Sequence, residues 1–154
     1  MSAVMSELPV FTSAQVTDKM RAKVVEEART WIHTPYHHAA DVKGHGVDCA
    51  MLLVAVYTTC KFVESVDPRP YPQFWYLHRD EERYLGWIEK FCHKTATAQT
   101  ADIAVYRFGR TASHASIIID DDYMIHAYAP AKKVEIVERK PFESRLDGYW
   151  GLGV

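Results

Sequence analysis

The chain has 154 residues, enough to close one sizeable hydrophobic core and too few for two. It therefore reads as a single domain over 1–154, with about residues 1–16 as an extended N-terminal segment. Basic and acidic residues number 18 and 20 and their signs are interspersed, which excludes a polyanion partner such as nucleic acid.

Cys49, Cys60 and Cys92 are an odd set without paired spacing, which argues against a disulfide framework and for folding in a reducing compartment. The opening MSAVMSELPVFTSAQVTDKM lacks the basic and apolar regions of a secretory signal. No window approaches the roughly 18 apolar residues of a membrane span. The expectation is cytoplasmic synthesis without a signal peptide.

Met20, Val24, Ala28 and Ile32, with Val25 and Trp31 alongside, recur at helical spacing behind Thr17, a good N-cap. Pro35 should end that helix near Thr34. Residues 36–47 read as a polar loop loosened by Gly44 and Gly46. The run after Asp48 is apolar on every side, so the spacing predicts a fully buried central helix from Cys49 to about Lys61. DPRPYPQFW has too many prolines for regular structure, and 79–92 returns to helical spacing. After Ala98 the segments DIAVYRF, HASIII, YMIHAYA and KVEIVE predict an antiparallel meander. Helices first and strands second make an α+β domain.

One junction carries chemistry. GHGVDC places Cys49 at the start of a buried helix, where unpaired N–H groups favour a thiolate and can hold an oxyanion. Asp48 beside it opposes the thiolate, so a cationic partner is needed. His114 and His126 flank the acidic turn 120–122. A three-residue turn sets Ser116 opposite His126 and His114 one diagonal step away, on the same face; a two-residue turn separates them. With the odd turn, Cys49 is a nucleophile, His114 its acid and base, and His126 the residue that orients His114. A zinc site from His33, His37, His45 and Cys49 would need continuous helices, which Pro35, Gly44 and Gly46 break. No metal or cofactor is expected.

TPYHHAADVKGHGVDCAMLLVAVY, ADIAVYRF, SHASIII and MIHAYA together resemble the NlpC family of papain-like cell-wall cysteine peptidases, over about residues 20 to 140. FWYLHRDEERYLGWI is similar to phage-encoded members associated with tail assembly. The resemblance implies a papain-like core, with the nucleophile on a buried helix packed on a C-terminal antiparallel sheet. It implies hydrolysis of the γ-D-glutamyl-diamino acid bond in peptidoglycan stem peptides, Tyr36 lining the site near the oxyanion, and Asp48 binding the substrate's free amine. It also implies phage tail proteins as partners and a virion route to the cell wall. Two positions depart from the family pattern: Ala50 stands where serine usually follows the cysteine, and Ala101 where glycine precedes Asp102. A structural tail component, or an amidase or acyltransferase on the same triad, is the alternative.

Overall fold

Thr17 accepts a hydrogen bond from the Met20 amide and starts helix α1 (Asp18–Arg29) in the computed structural model, which describes residues 11–63, 69, 88–108 and 111–154. Arg21, Val24, Val25 and Ala28 form its buried stripe, the spacing of one helix face. The helix stops short of the expected Thr34 because the following amides have other partners. His33 N–H donates to Val134, Val134 N–H to Thr34, and Tyr36 N–H to Lys132, with His33 at a left-handed φ of 73°.

The expected loop 36–47 contains a small hairpin, β1 (Asp41–Val42) and β2 (Gly46–Val47). Gly44 turns it with φ 82°. Gly46 is needed for close approach, since a Cβ there would sit 2.9 Å from that of His37. Helix α2 (Cys49–Thr59) follows, buried along nearly its whole surface as its apolar sequence requires.

Of the proline-rich segment only Arg69 is described. The expected helix 79–92 and the tail-protein-like segment lie mostly outside the described residues. Residues 88–91 are helical, and Cys92 is not part of that helix: it opens strand β3 (Cys92–Thr95), paired to the last strand through Cys92↔Leu152.

The remaining strands are β4 (Ile103–Phe108), β5 (Thr111–Ile118), β6 (Tyr123–Tyr128), β7 (Lys133–Glu138) and β8 (Leu146–Leu152). The six-stranded sheet has the order β3-β8-β4-β5-β6-β7, and each described pairing is antiparallel. Period-2 alternation gives it two apolar faces. Ile103, Val105, Ala115, Ile117, Ile125 and Ala127 join the helices in the main core. Ala104, Tyr106, Ile118 and Met124 form a second cluster with Phe108, Phe142 and Tyr149.

Two polar anchors tie the helices to the sheet. Arg21 Nη1 reaches Asp102 Oδ1 at 2.6 Å with both side chains buried, and Asp102 also accepts from the Gln99 and Leu152 amides. Tyr57 donates its hydroxyl to the Ala101 carbonyl at 2.6 Å. Ala101 itself is buried at φ 73°, a conformation that favours glycine.

Candidate active site

The turn between β5 and β6 decides whether the two histidines can meet. Ile117 faces Ile125 and Ile118 faces Met124, and Ile119 N–H bonds to Tyr123, so the turn is the odd, three-residue 120–122. Asp120 caps it, accepting from the Asp122 and Tyr123 amides. This register sets Ser116 opposite His126, and His114 Nε2 lies 2.9 Å from His126 Nδ1.

The ladder between β5 and β6 stops at Ile117↔Ile125. Beyond that point α2 packs against both strands. Backbone N–H groups of Ala50 and Cys49 at the helix start, and of Ala115 beside His114, favour the ionised form of the Cys49 sulfur. The thiol therefore sits among three backbone N–H groups, one donated by the strand that carries His114. The register shift of β4 against β5 beside Tyr106 falls at this same end of the sheet, where bulges commonly re-aim side chains.

Cys49 is 5%, His114 6% and His126 0% exposed. Their surroundings are aromatic: His126 stacks on Tyr128 at 4.8 Å, Phe142 meets it edge-on, and Phe108 meets His114 edge-on at 5.5 Å. Burial disfavours charge. It pushes His126 down to about 4 and His114 well below the usual imidazole range, with His126 adding to the latter effect. Burial, and then the Asp48 carboxylate, raise the Cys49 thiol, and the three amides oppose them. Burial thus favours the neutral thiol and the neutral imidazole at rest.

Asp48 is the N-cap of α2. Its Oδ1 accepts from the Met51 amide at 2.8 Å and its Oδ2 from the Ala39 amide at 2.7 Å, while His38 Nδ1 stands 3.9 Å from Oδ2. Tyr36 is half-buried, bridged through its backbone to Val47 and packed against the main core. His33, His37 and His45 are exposed, whereas Cys49 is buried. Among the described residues no three His, Cys, Asp or Glu side chains converge as metal ligands. Cys92 is buried, its thiol pushed up to about 12.

Sequence reading missed the aromatic enclosure and Glu135, whose Oε1 lies 3.5 Å from His126 Nε2. The signal for Glu135 was the alternation of KVEIVE, which becomes readable only once the β6–β7 register is known.

No family model matches the chain, and no curated protein matches it in sequence. Solved structures do match in fold. The NlpC/p60 domain of the peptidoglycan hydrolase SagA has a TM-score of 0.59 at 20% identity, over 86% of this chain and 98% of that one. NlpC2 from Trichomonas vaginalis reaches 0.67 at 12% identity, over 94% and 51%, so the chain spans about half of that protein. The peptidoglycan hydrolase RipB from Mycobacterium tuberculosis matches at 0.55 and 16% identity, over 90% and 69%. The buried helix that begins at Cys49, the antiparallel sheet and these likenesses agree: the chain has the papain-like α+β fold of NlpC/p60 domains.

Proposed function

We propose that the protein is a cysteine hydrolase of bacterial peptidoglycan, cleaving an amide bond in the stem peptide, most specifically that between γ-D-glutamate and the diamino acid. The observation that carries this reading is the 2.9 Å contact between His114 Nε2 and His126 Nδ1, on a strand whose Ala115 amide favours the ionised form of the Cys49 sulfur. The fold shared with SagA and RipB supports the substrate class.

In this mechanism Cys49 Sγ attacks the scissile carbonyl while His114 Nδ1 takes the thiol proton. The carbonyl oxygen becomes an oxyanion, held by the N–H groups at the start of α2. His114 then gives the proton to the leaving amine as the C–N bond breaks, which leaves a thioester on Cys49. Water attacks the thioester with His114 as base, and the carboxylic acid departs. His126 accepts from His114 Nε2–H throughout, fixing the ring so that Nδ1 is the basic nitrogen. Tyr36 lines the site. A substrate amine would meet Asp48 at Oδ2, the oxygen nearer His38. Alanine at position 50 leaves the substrate without the hydroxyl usual in the family.

The test is digestion of defined muropeptides, with products identified by mass. Wild type should release the fragment ending in γ-D-glutamate and Cys49→Ala should release none. Identical products from both, or none from wild type between pH 5 and 9, would sink the reading.

A further inference from the structure

Only one of the two facing nitrogens, His114 Nε2 and His126 Nδ1 at 2.9 Å, can carry the shared proton. If His114 Nε2 carries it, His114 Nδ1 is bare and can act as a base. If His126 Nδ1 carries it, His114 becomes an Nδ1–H tautomer and cannot take the thiol proton. The choice is made at the far end of His126.

There Nε2 is buried and makes no hydrogen bond among the described residues. Glu135 Oε1 stands 3.5 Å from it, and the ladder of β6 and β7 sets His126 directly opposite Glu135. Among the described residues no other cation lies within ion-pair distance of Glu135. The stacked Tyr128 ring fixes the plane of His126, so Nε2 keeps facing the carboxylate. A carboxylate attracts an N–H and repels a nitrogen lone pair.

We propose that Glu135 is a positioning residue that holds the proton of neutral His126 on Nε2 and thereby keeps Nδ1 bare to accept from His114. It rests on the hydrolase reading for its purpose, and on the geometry alone for its tautomer. Burial of His126, which keeps the ring neutral near pH 7, lets tautomer choice rather than protonation decide the direction of the relay. The side chain of Glu135 is 24% exposed, so replacing it leaves the core intact.

The experiment is nitrogen NMR of the histidine side chains in the full chain near pH 7.5, for wild type, Glu135→Gln, Glu135→Ala and Glu135→Lys. Wild type should show His126 with protonated Nε2 and bare Nδ1. Gln, whose carbonyl still accepts, should preserve this state. Ala should mix the tautomers, and Lys, which can only donate, should invert them. Cleavage of muropeptide by Ala and Lys variants should fall in kcat by about 10-fold or more with KM little changed, the size typical of outer-shell partners, while Gln retains most activity. An unchanged His126 tautomer in the Ala and Lys variants, or an inverted tautomer with unchanged kcat, overturns the proposal. A wild type that cleaves nothing overturns the hydrolase reading, while the tautomer measurement still decides the role of Glu135.

Discussion

Acidification from pH 7 to pH 5 should destabilise the fold through the histidine pair. An unfolded imidazole titrates near 6.5, whereas folded His126 is pushed down to about 4 by burial. The unfolded chain therefore binds the proton more readily, and its share of the equilibrium grows as pH falls below 6.5 until the folded value is reached. Linkage over that window gives about 2 kcal/mol lost from His126 alone. His114 is lowered as well and adds to the loss. Glu27, whose carboxyl is lowered mainly through Lys43 and Trp31 against the opposing effect of its own burial, contributes only as pH falls below about 4.5, outside the window. The assay is urea unfolding at half-unit pH steps for wild type and His126→Asn. The slope should be steep in wild type and shallower in the variant. Glu135→Gln should leave it nearly unchanged between pH 7 and 5, because folded His126 is already almost wholly neutral there. Stability flat from pH 7 to 5, or an equal slope in His126→Asn, would refute the reasoning.

Ala101→Gly should raise stability by up to about 1 kcal/mol, since φ 73° strains alanine and suits glycine; a lower urea midpoint would count against this. Arg21→Ala should cost about 3–5 kcal/mol, because it leaves the buried Asp102 carboxylate without its 2.6 Å partner, and a loss under 1 kcal/mol would show the pair to be dispensable. Alkylation of Cys49 should still be accelerating above pH 9, as a thiol raised by burial and Asp48 demands. A plateau reached below pH 7 would reveal a resting thiolate–imidazolium pair instead.

The site was more legible in the sequence than the sheet around it. Polarity and β propensity placed the strands carrying His114 and His126 but left the turn between two and three residues; the three-residue turn 120–122 in the structure sets the register that brings them together, because side-chain direction alternates with a period of two. The junction at Cys49 was legible for a similar local reason: a capping residue, a cysteine and an apolar run are contiguous. Strands β3 and β8 were not legible. CHKT continues the helical spacing of the preceding segment, and LDGYWGL holds two glycines and no clean alternation. Their identity comes from pairing with each other and with β4, which is a long-range fact. Arg21 was hidden likewise: it lies on the apolar stripe of α1, but its partner Asp102 is a distant strand residue.

Burial has a price for chemistry, since it disfavours charge on Cys49 and on His114, the latter packed with His126 among Tyr128, Phe142 and Phe108. On the proposed mechanism that penalty falls on the resting ion pair and much less on the transition state. When Sγ attacks, the negative charge leaves the sulfur for the carbonyl oxygen, where helix-start amides receive it with no reorganisation. The positive charge on His114 is opposed there by the new anion, and the bare Nδ1 of His126 accepts from the ring. A buried site thus disfavours an oxidisable thiolate between turnovers, and it strengthens each dipole that acts during one. The same burial makes the proton order along Cys49, His114, His126 and Glu135 matter, because His126 is 0% exposed and its tautomer is set by its protein neighbours.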